Sequence, residues 1–221
     1  MVSEDSQARS DSLTSRVVFS ISFSPFEVST LMTGYNERAA KEKYPPLRDY
    51  IPTAPLVLFV GINPGIRSAT VGHHFAGYSN RFWKLLHESG LVPKPISYEQ
   101  DISLPEWGYG ITNLIARASA GIDDLKPHEY SGGRAALLAK IRRRHPKLVA
   151  LVGVTLYRAL FTNRVGEPIR FGLQAERLGG VPLFVLPNPS GRNANYSYQE
   201  MLEGFRALKM YLLQPHLLPP R

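Results

Sequence analysis

Residues 56–65, "LVLFVGINPG", decide the fold class of this chain. Their first half is a short and unbroken apolar run, which is typical of a strand covered on both faces in a parallel sheet. The run ends at Gly61, and the uncharged amide Asn63 follows, directly before Pro64. Because a proline ring excludes helical geometry at the preceding residue, Asn63 is restricted to an extended backbone conformation where the strand ends.

The rest of the chain alternates between apolar strands and helical patterns. Strands are predicted at residues 56–60, 109–115, 148–154 and 181–187, and helices at residues 79–90, 127–145, 155–161 and from Ser197 onward. Ser79 is expected to cap the first of these helices and Gly90 to end it, while Ser197 and Glu200 form a capping box at the last. This alternation predicts an α/β fold with a parallel sheet and helices on both faces.

The sequence divides into four parts. Residues 1–16 are rich in serine and charge and are predicted to form a disordered tail. Residues 17–50 are interpreted as an N-terminal extension, whose prolines interrupt any long helix or strand. Residues 51–213 carry the regular pattern of the main domain, and residues 214–221 are expected to form a C-terminal tail.

Composition and charge narrow the class of protein. With 221 residues, 43% hydrophobic, the chain is long enough for one domain with a full core. The formal charge of +8 favours a polyanionic partner such as nucleic acid, although a merely basic surface remains an alternative. The absence of cysteine excludes disulfides, thiol nucleophiles and cysteine metal sites, and suggests an intracellular protein. No apolar run reaches the roughly 18–20 residues of a membrane helix, and the polar start does not resemble a secretory signal.

Two loops at the predicted carboxyl edge of the sheet carry unusual chemistry. They are "GINPGIRSATVGHHFAGYSN", residues 61–80, and "NPSGRNANYS", residues 188–197, and each contains an Asn-Pro pair. The first lacks the middle glycine of a dinucleotide fingerprint and the lysine of a P-loop. It is also predicted to run too far before its helix for a phosphate to reach the helix start. A structural turn and a substrate site remain as interpretations.

Three motifs in order resemble one family. They are "GINPG" (61–65), "GHHFAGYSNRFW" (72–83) and "LPNPSGR" (186–192), which are similar to motifs of the mismatch-specific uracil/thymine DNA glycosylases, the second family of the uracil-DNA glycosylase superfamily. The resemblance runs from about residue 50 to residue 212, and the shorter matches "GITNLI", "GGR" and "FGLQ" lean toward the thymine-DNA glycosylase side. It implies a three-layer αβα sandwich whose central, mainly parallel sheet has four to five strands.

The resemblance also implies a function. Members are monofunctional DNA glycosylases of base excision repair, which flip uracil mispaired with guanine out of duplex DNA and hydrolyse its N-glycosidic bond to leave an abasic site. Thymine and etheno-cytosine stay open as further substrates. The expected partner is double-stranded DNA with G·U or G·T mismatches, without cofactor, metal or membrane. A monomer is expected, in the nucleus if the source is eukaryotic, which is favoured, and otherwise in the cytoplasm.

Site residues follow from the same resemblance. Asn63 is expected to hold the attacking water, and Phe75 to stack on the flipped base. Ser68 and His74 are expected near the 5-position of the base or at its edge, and Arg192 is expected to enter the vacated stack or to contact a phosphate. The base pocket is predicted to comprise Ile62, Gly65, Ser68, His74, Phe75, Thr112 and Asn188. The DNA contacts are predicted to comprise Asn80, Ser190, Gly191, Arg192 and Asn193.

The chemistry of Asn63 agrees with such a role. An amide does not titrate near neutral pH, so it can hold a water but cannot deprotonate it. The glycosidic bond must then be largely broken before water attacks, and fixed donors must stabilise the departing base. His73 and His74 are not expected to bind metal, because adjacent histidines usually point apart and no cysteine or carboxylate cluster joins them.

Two other functions remain in competition. One is a non-catalytic DNA-binding or damage-sensing module on the same fold, for which a water-positioning amide has no use. The other is a small-molecule nucleoside hydrolase, which would need a carboxylate cluster for ribose or metal that the motifs do not contain. Incubation with a G·U duplex distinguishes all three, since only a glycosylase leaves alkali-sensitive abasic sites.

Overall fold

The computed structural model describes residues 44–161 and 169–214. The predicted tail 1–16, most of the extension 17–50 and nearly all of the C-terminal tail lie outside the described residues. The described part contains one five-stranded sheet in the order β2-β1-β3-β5-β4. Its strands are β1 Val57–Gly61, β2 Tyr109–Asn113, β3 Val149–Val152, β4 Gly172–Leu178 and β5 Val181–Leu186.

Four of the five strands run parallel, and only β4 is antiparallel to its neighbour β5. β1, an inner strand between β2 and β3, is buried along its whole length, as its continuous apolar run predicted. β4 was not predicted, because its residues alternate between half-buried and exposed, as on an open edge. Gly179 and Gly180, with φ of 60° and 84°, supply the left-handed conformations that a two-residue hairpin to β5 requires.

Helices cover both faces of the sheet. They are α1 Ile66–Val71, α2 Phe82–Glu88, α3 Pro127–Arg144, α4 Val154–Leu160 and α5 Tyr198–Leu212, with 3-10 helices at Tyr98–Trp107 and Ile122–Asp124. α2, α5 and the longer 3-10 helix pack on one face around a core that contains Phe59, Phe82 and Phe205. α3 and α4 pack on the other face, against Leu58 and Leu151. The predicted three-layer αβα sandwich is therefore confirmed.

The helix ends agree with the sequence at the last helix and differ at α2. Ser197 Oγ accepts from the Glu200 N–H at 3.2 Å, which is the predicted capping box. Ser79 does not cap α2. The N-cap residue is Arg81, whose side chain makes no capping bond, and Asn80 Oδ1 accepts from the Phe82 N–H at 3.0 Å just before it. Gly90 ends this region in a left-handed conformation with φ of 74°, as expected of a glycine there.

The described residues before β1 cover the outer edge of β2. Tyr50 and Ile111 exchange two backbone hydrogen bonds, at 3.2 and 2.9 Å, in an antiparallel bridge. Asp49 forms an ion pair with Lys140 of α3 at 2.7 Å. This antiparallel bridge occupies the outer edge of β2 at Ile111. None of the helices in residues 44–161 and 169–214 has the length and apolar character needed to cross a membrane.

Candidate active site

The loop after β1 lies where the strand order changes direction. From β1 the chain passes to β2 on one side and later to β3 on the other, so β1 is the switch point of the sheet. In open α/β sheets, ligands bind outside the carboxyl end of the strands at such a point. Asn63 follows the last residue of β1 by two positions and therefore lies where a binding cleft is expected.

The side-chain amide of Asn63 is held in one orientation by three acceptors. Its Nδ2 donates to the carbonyl oxygens of Pro64 at 3.1 Å and Arg117 at 3.2 Å, and to Ser119 Oγ at 2.8 Å. Because carbonyl oxygens only accept hydrogen bonds, Nδ2 rather than Oδ1 must face them. Among the described residues nothing donates to Asn63 Oδ1, so this oxygen is available to a water or a substrate group.

Backbone hydrogen bonds join this loop to the segment after β2. The Ile115 N–H donates to the Ile62 carbonyl at 2.9 Å, which extends the contact between β1 and β2 beyond the strands. The Ser119 N–H donates to the Pro64 carbonyl at 3.1 Å, and Gly65 forms a parallel bridge with Ser119. The backbone on both sides of Asn63 is therefore fixed by a second loop.

Ser119 is a member of this site that the sequence did not reveal. Its hydroxyl donates to the Gly121 carbonyl at 2.5 Å, and it therefore accepts in its contact with Asn63. In sequence, a serine after the second strand is an ordinary turn residue. The parallel pairing of β1 with β2 could have indicated a contact between Ser119 and the Asn63 loop, because it brings the loops that follow the two strands side by side.

An ion pair anchors Arg117, whose carbonyl oxygen accepts a hydrogen bond from Asn63 Nδ2. The Arg117 guanidinium bonds both carboxylate oxygens of Glu129, at 2.8 and 2.7 Å, and the Asp124 carbonyl at 2.8 Å. Hydrogen bonding from Arg117 lowers the pKa of Glu129 to about 2. Because bidentate arginine–carboxylate pairs have a fixed geometry, this pair ties the acceptors of Asn63 to the first turn of α3.

Phe75 lies against the end of β1. A Cβ atom at Gly61 would lie 3.2 Å from the Phe75 ring and 2.6 Å from Asn113 Oδ1, which explains the need for glycine there. One face of the Phe75 ring stacks on Phe82, with ring centroids 4.1 Å apart. Phe75 has a left-handed φ of 52°, which costs a non-glycine residue about 1–2 kcal/mol. Among the described residues nothing accepts from the Phe75 N–H.

The structure contradicts the expectation that His74 hydrogen-bonds the edge of a base. His74 is only 1% exposed, and both ring nitrogens have protein partners. Nε2 lies 3.1 Å from the Arg48 carbonyl, and Nδ1 lies 3.3 Å from Asn113 Nδ2. Because a carbonyl only accepts, Nε2 carries the proton and Nδ1 accepts from Asn113. Burial lowers the pKa of His74 below its usual value, so the ring is neutral.

The structure also contradicts the prediction that Ser68 and Thr112 line the base pocket. Ser68 is 5% exposed, and its Oγ accepts from the Ala76 N–H at 3.0 Å, which holds the Phe75 loop on α1. Thr112 is fully buried, and its hydroxyl donates to Asp49 Oδ1 at 2.5 Å and accepts from Lys140 Nζ at 2.8 Å. Neither hydroxyl is exposed to a ligand, because both satisfy polar groups of the protein.

Gly65 is exposed at the start of α1. Its φ of −68° is open to any residue, and a Cβ atom at this position would have no neighbour within 4 Å. The packing of the protein itself therefore does not require glycine, and the space beside this backbone is open. The expectation that the loop runs far before its first helix is wrong, because Ile66–Val71 is helical immediately after Gly65.

The loop after β5 lies on the other side of the cleft. A Cβ atom at Gly191 would lie 2.3 Å from Ser79 Cβ, so the two loops pack closely at this glycine. Arg192 is exposed, and its NH1 donates to the Ala120 carbonyl at 3.0 Å, next to Ser119. The loops after β1, β2 and β5 therefore meet at one edge of the sheet.

Polar residues of the β5 loop bond mainly to one another. Asn188 Oδ1 accepts from the Ser190 N–H at 3.0 Å, and the Asn188 carbonyl accepts from Asn193 Nδ2 at 2.9 Å. Asn188 thus turns its side chain toward its own loop rather than toward Asn63. At this edge the structure assembles the following predicted residues: Ile62, Asn63, Gly65, Phe75, Asn80, Asn188, Ser190, Gly191, Arg192 and Asn193.

The adjacent histidines point in different directions. His73 Nδ1 lies 3.1 Å from Asp101 Oδ1, whereas the His74 ring faces Arg48 and Asn113. Asp101 is fully buried, and its second oxygen accepts from the His74 N–H at 2.9 Å. Across residues 44–161 and 169–214, no three His, Cys, Asp or Glu side chains come together in a group that could hold a metal ion.

Comparisons with known proteins identify the family of this chain. The family model of the uracil DNA glycosylase superfamily matches residues 48–209. The G/U mismatch-specific uracil DNA glycosylase of Schizosaccharomyces pombe is 39% identical over 156 residues, which cover 67% of this chain and 48% of that protein. The chain therefore spans about half the length of this relative.

A solved structure has the same fold. It is the solution NMR structure of a Methanosarcina acetivorans protein proposed to be a uracil DNA glycosylase, which matches with a TM-score of 0.50 and 16% identity. The match covers 74% of this chain and 97% of that protein, and at this identity it supports the fold alone. Because the family model extends from the segment before β1 into the last turn of α5, this chain belongs to the uracil DNA glycosylase superfamily.

Proposed function

We propose that this protein is a monofunctional DNA glycosylase of base excision repair, which removes uracil mispaired with guanine from duplex DNA. The observation that carries the proposal is the Asn63 amide, whose Nδ2 is fixed by Arg117 and Ser119 while its Oδ1 is open. Hydrolysis of an N-glycosidic bond needs a water held beside the sugar. An amide oxygen can hold that water, although it cannot remove its proton.

The reaction that fits this group is dissociative. The bond between base and sugar breaks first, which gives an oxocarbenium-like sugar and an anionic base. Fixed N–H donors stabilise the departing base, and the Phe75 N–H, which has no acceptor among the described residues, can be one of them. Water on Asn63 Oδ1 then adds to the sugar carbon and releases a proton to solvent. Because the Asn63 amide cannot take a proton from the attacking water, slow turnover is expected.

Several observations support DNA with a G·U mismatch as the substrate. The formal charge of the chain is +8, which suits a polyanion. The Phe75 ring is already stacked on Phe82 at 4.1 Å, and a base added to such a stack contributes about 1–3 kcal/mol. The Schizosaccharomyces pombe relative is a G/U mismatch-specific enzyme. Thymine and etheno-cytosine opposite guanine are further candidate substrates, since a base that leaves readily suits a site without a general base.

Arg192 is proposed to fill the space that the flipped nucleotide vacates. Its side chain is exposed and attached by one hydrogen bond to the Ala120 carbonyl, so it can leave that contact when DNA binds. Flipping costs a few kcal/mol, which a stacked guanidinium partly offsets. A rim contact with a phosphate is the alternative role for Arg192.

The decisive experiment uses an end-labelled G·U duplex, with a G·C duplex as control. Strand breaks that appear only after alkali would establish a monofunctional glycosylase, because alkali cleaves at abasic sites. Tight binding without breaks would favour the damage-sensing module instead. Release of base from free deoxyuridine, with the duplex left intact, would favour a nucleoside hydrolase.

We also propose that the protein acts on DNA as a monomer, in the nucleus of a eukaryotic cell. The relative from Schizosaccharomyces pombe supports a eukaryotic setting, and a bacterial cytoplasm is the alternative. Sedimentation of the protein with and without a G·U duplex tests the first statement, and the location of a fluorescent fusion tests the second.

A further inference from the structure

Tyr78 is the most exposed large apolar or aromatic side chain of the described residues, at 90%. It lies between Phe75 and α2, on a groove of about 570 Å³ whose walls include Phe75, Trp83 and Tyr98. At this exposure the ring adds little to the buried apolar surface of the free protein. Its place in the lining of this groove makes the ring accessible to a ligand.

Arg67 supports the Tyr78 ring from one side. Its guanidinium carbon lies 3.6 Å from the ring centroid, a close cation–π contact. Arg67 is itself fixed, because its Nε donates to the Ala76 carbonyl at 2.8 Å and its NH2 to the Tyr98 hydroxyl at 3.2 Å. One face of Tyr78 therefore has a rigid cationic support, and the 90% exposure leaves the other face open to solvent.

The charge of this groove favours nucleic acid as the ligand. Within residues 44–161 and 169–214, Arg67 forms no ion pair with a carboxylate. Lys84 in the same groove pairs with Glu88 at 3.6 Å, so these two charges offset each other. Arg67 remains as the uncompensated charge beside an open aromatic face, which matches a base attached to a phosphate backbone.

Tyr78 is close enough to Phe75, where the flipped base is proposed to stack, to contact the same DNA strand. It is three residues from Phe75, so their Cα atoms are at most roughly 10 Å apart. Stacked nucleotides of one strand are about 3.4 Å apart, so a base within about three steps of the flipped nucleotide can reach Tyr78. Flipping also leaves the neighbouring bases with an unstacked face.

We propose that Tyr78 and Arg67 form a second stacking platform, which takes a nucleobase of the uracil-bearing strand next to the flipped nucleotide. This inference rests on the proposed function, because it places a flipped nucleotide at Phe75. The ring supplies stacking that tolerates any base, and the guanidinium behind it attracts the adjacent phosphate. The platform raises affinity for the damaged strand without selecting the flanking sequence.

A double-mutant cycle between protein and DNA tests the platform. Every protein in the cycle carries Asn63→Ala, so that uracil duplexes stay intact during binding measurements. Tyr78→Ala and Tyr78→Phe are compared with Met210→Ala, a control at a 58% exposed position in the last turn of α5. The DNA is a G·U duplex, and versions of it in which one base beside the uracil is replaced by a tetrahydrofuran abasic residue.

We expect Tyr78→Ala to weaken binding to the intact G·U duplex about tenfold, and the other two variants to stay within about twofold. At the stacked position, loss of the base weakens binding by the protein with native Tyr78 but hardly affects Tyr78→Ala, whose partner is already absent. The proposal would be overturned if, at every position beside the uracil, removal of the base weakened binding equally for the protein with native Tyr78 and for Tyr78→Ala. So would Tyr78→Ala binding equal to that of the Met210→Ala control.

Failure of the proposed function gives a different result. A protein with native Asn63 that creates no alkali-sensitive sites refutes glycosylase activity, whereas the cycle reports stacking from binding alone. Coupling between Tyr78 and a neighbouring base would then support the platform in a DNA-binding module. Equal thermal unfolding of all variants excludes misfolding as a cause, and a 90% exposed side chain makes that the expected result.

Discussion

The chain uses the dipeptide Asn-Pro twice at the carboxyl edge of its sheet, and the two asparagines are held in opposite ways. Asn63 directs its NH2 group at Arg117 and Ser119, which are 54 and 56 residues away along the chain, and leaves its oxygen open. Asn188 directs its oxygen at the N–H of Ser190, two residues away in its own loop. The first asparagine joins two loops, whereas the second shapes one.

This difference distinguishes a loop that is bonded firmly to its neighbour from a loop that is bonded to its neighbours more sparsely. The Asn63 loop is bonded to the β2 loop through both backbone and side chain. The β5 loop is largely exposed. Among the described residues, its hydrogen bonds to neighbouring loops run from the Arg81 N–H to Pro189 at 2.9 Å and from Arg192 to Ala120 at 3.0 Å, and Gly191 packs on Ser79. We propose that this loop enters the DNA duplex while Asn63 stays in place.

Truncation of each asparagine is expected to give the largest contrast. Asn63→Ala removes the oxygen that we propose holds the water, so we expect single-turnover cleavage of a G·U duplex to fall by about 10³-fold, with binding nearly unchanged. Asn188→Ala removes one local turn bond, and we expect a loss of at most about tenfold. Similar losses of cleavage in Asn63→Ala and Asn188→Ala would contradict the different roles assigned to the two asparagines.

Replacement of each asparagine by aspartate sharpens the comparison. Asn63→Asp turns a carboxylate oxygen toward the Pro64 and Arg117 carbonyls, which raises the pKa of the new carboxyl because the protonated form can donate. We expect cleavage to fall about 100-fold at about pH 8 and to recover partly toward about pH 5. Asn188→Asp still accepts from the Ser190 N–H, so it should stay within about threefold at both pH values. The same pH dependence of cleavage in Asn63→Asp and Asn188→Asp would contradict the orientation of the Asn63 amide described above.

Arg192→Ala tests the β5 loop directly. If Arg192 fills the vacated stack, cleavage of duplex DNA falls about tenfold and cleavage of single-stranded DNA much less, because a single strand has less stacking to replace. The matched control is Arg206→Ala, the same change at an exposed position of α5. If Arg192→Ala changes only the salt dependence of DNA binding and leaves duplex cleavage unchanged, Arg192 contacts a phosphate instead.

The smallest effect is expected at Glu129, whose ion pair supports the acceptors of Asn63. Its pKa is lowered from 4.5 to about 2, chiefly by hydrogen bonding from Arg117. A carboxyl with a lowered folded-state pKa stabilises the protein fully above its ordinary pKa, and that stability is lost as the pH falls through the folded-state value. Glu129→Gln should therefore lower Tm by about 2–4 °C at neutral pH and flatten its decline between about pH 4.5 and pH 2.

The control for this prediction is Glu203→Gln, at an exposed position of α5. We expect this variant to keep the acid dependence of the wild-type Tm. An acid dependence that is identical in Glu129→Gln and wild type would contradict the role of the ion pair in the folded state.

The central strands were predictable because each is a local and continuous apolar run. β1, β3 and most of β5 are buried on both faces, and no partner needs to be known for such a pattern to be recognised. β4 was missed because its exposed edge position gives an alternating pattern. The 3-10 helix Tyr98–Trp107 was missed because it buries only Asp101 and Leu104 and so has no periodic apolar stripe.

The candidate site was predictable only where its chemistry is local. Asn63 stands out because Pro64 follows it directly. Ser119 could not be found in this way, because its contact with Asn63 spans 56 residues. His74 and Thr112 were misplaced because a sequence does not show burial, and their exposures of 1% and 0% remove them from any ligand.

The most direct test of the Asn63 account is a crystal structure with a duplex that carries 2′-fluoro-2′-deoxyuridine opposite guanine, since the fluorine disfavours the oxocarbenium-like sugar. We predict a water within about 3 Å of Asn63 Oδ1 that faces the sugar carbon, with Nδ2 still bonded to the Arg117 carbonyl and Ser119. A rotated amide whose Nδ2 faces the sugar, or the lack of any water between Asn63 and the flipped nucleotide, would contradict it.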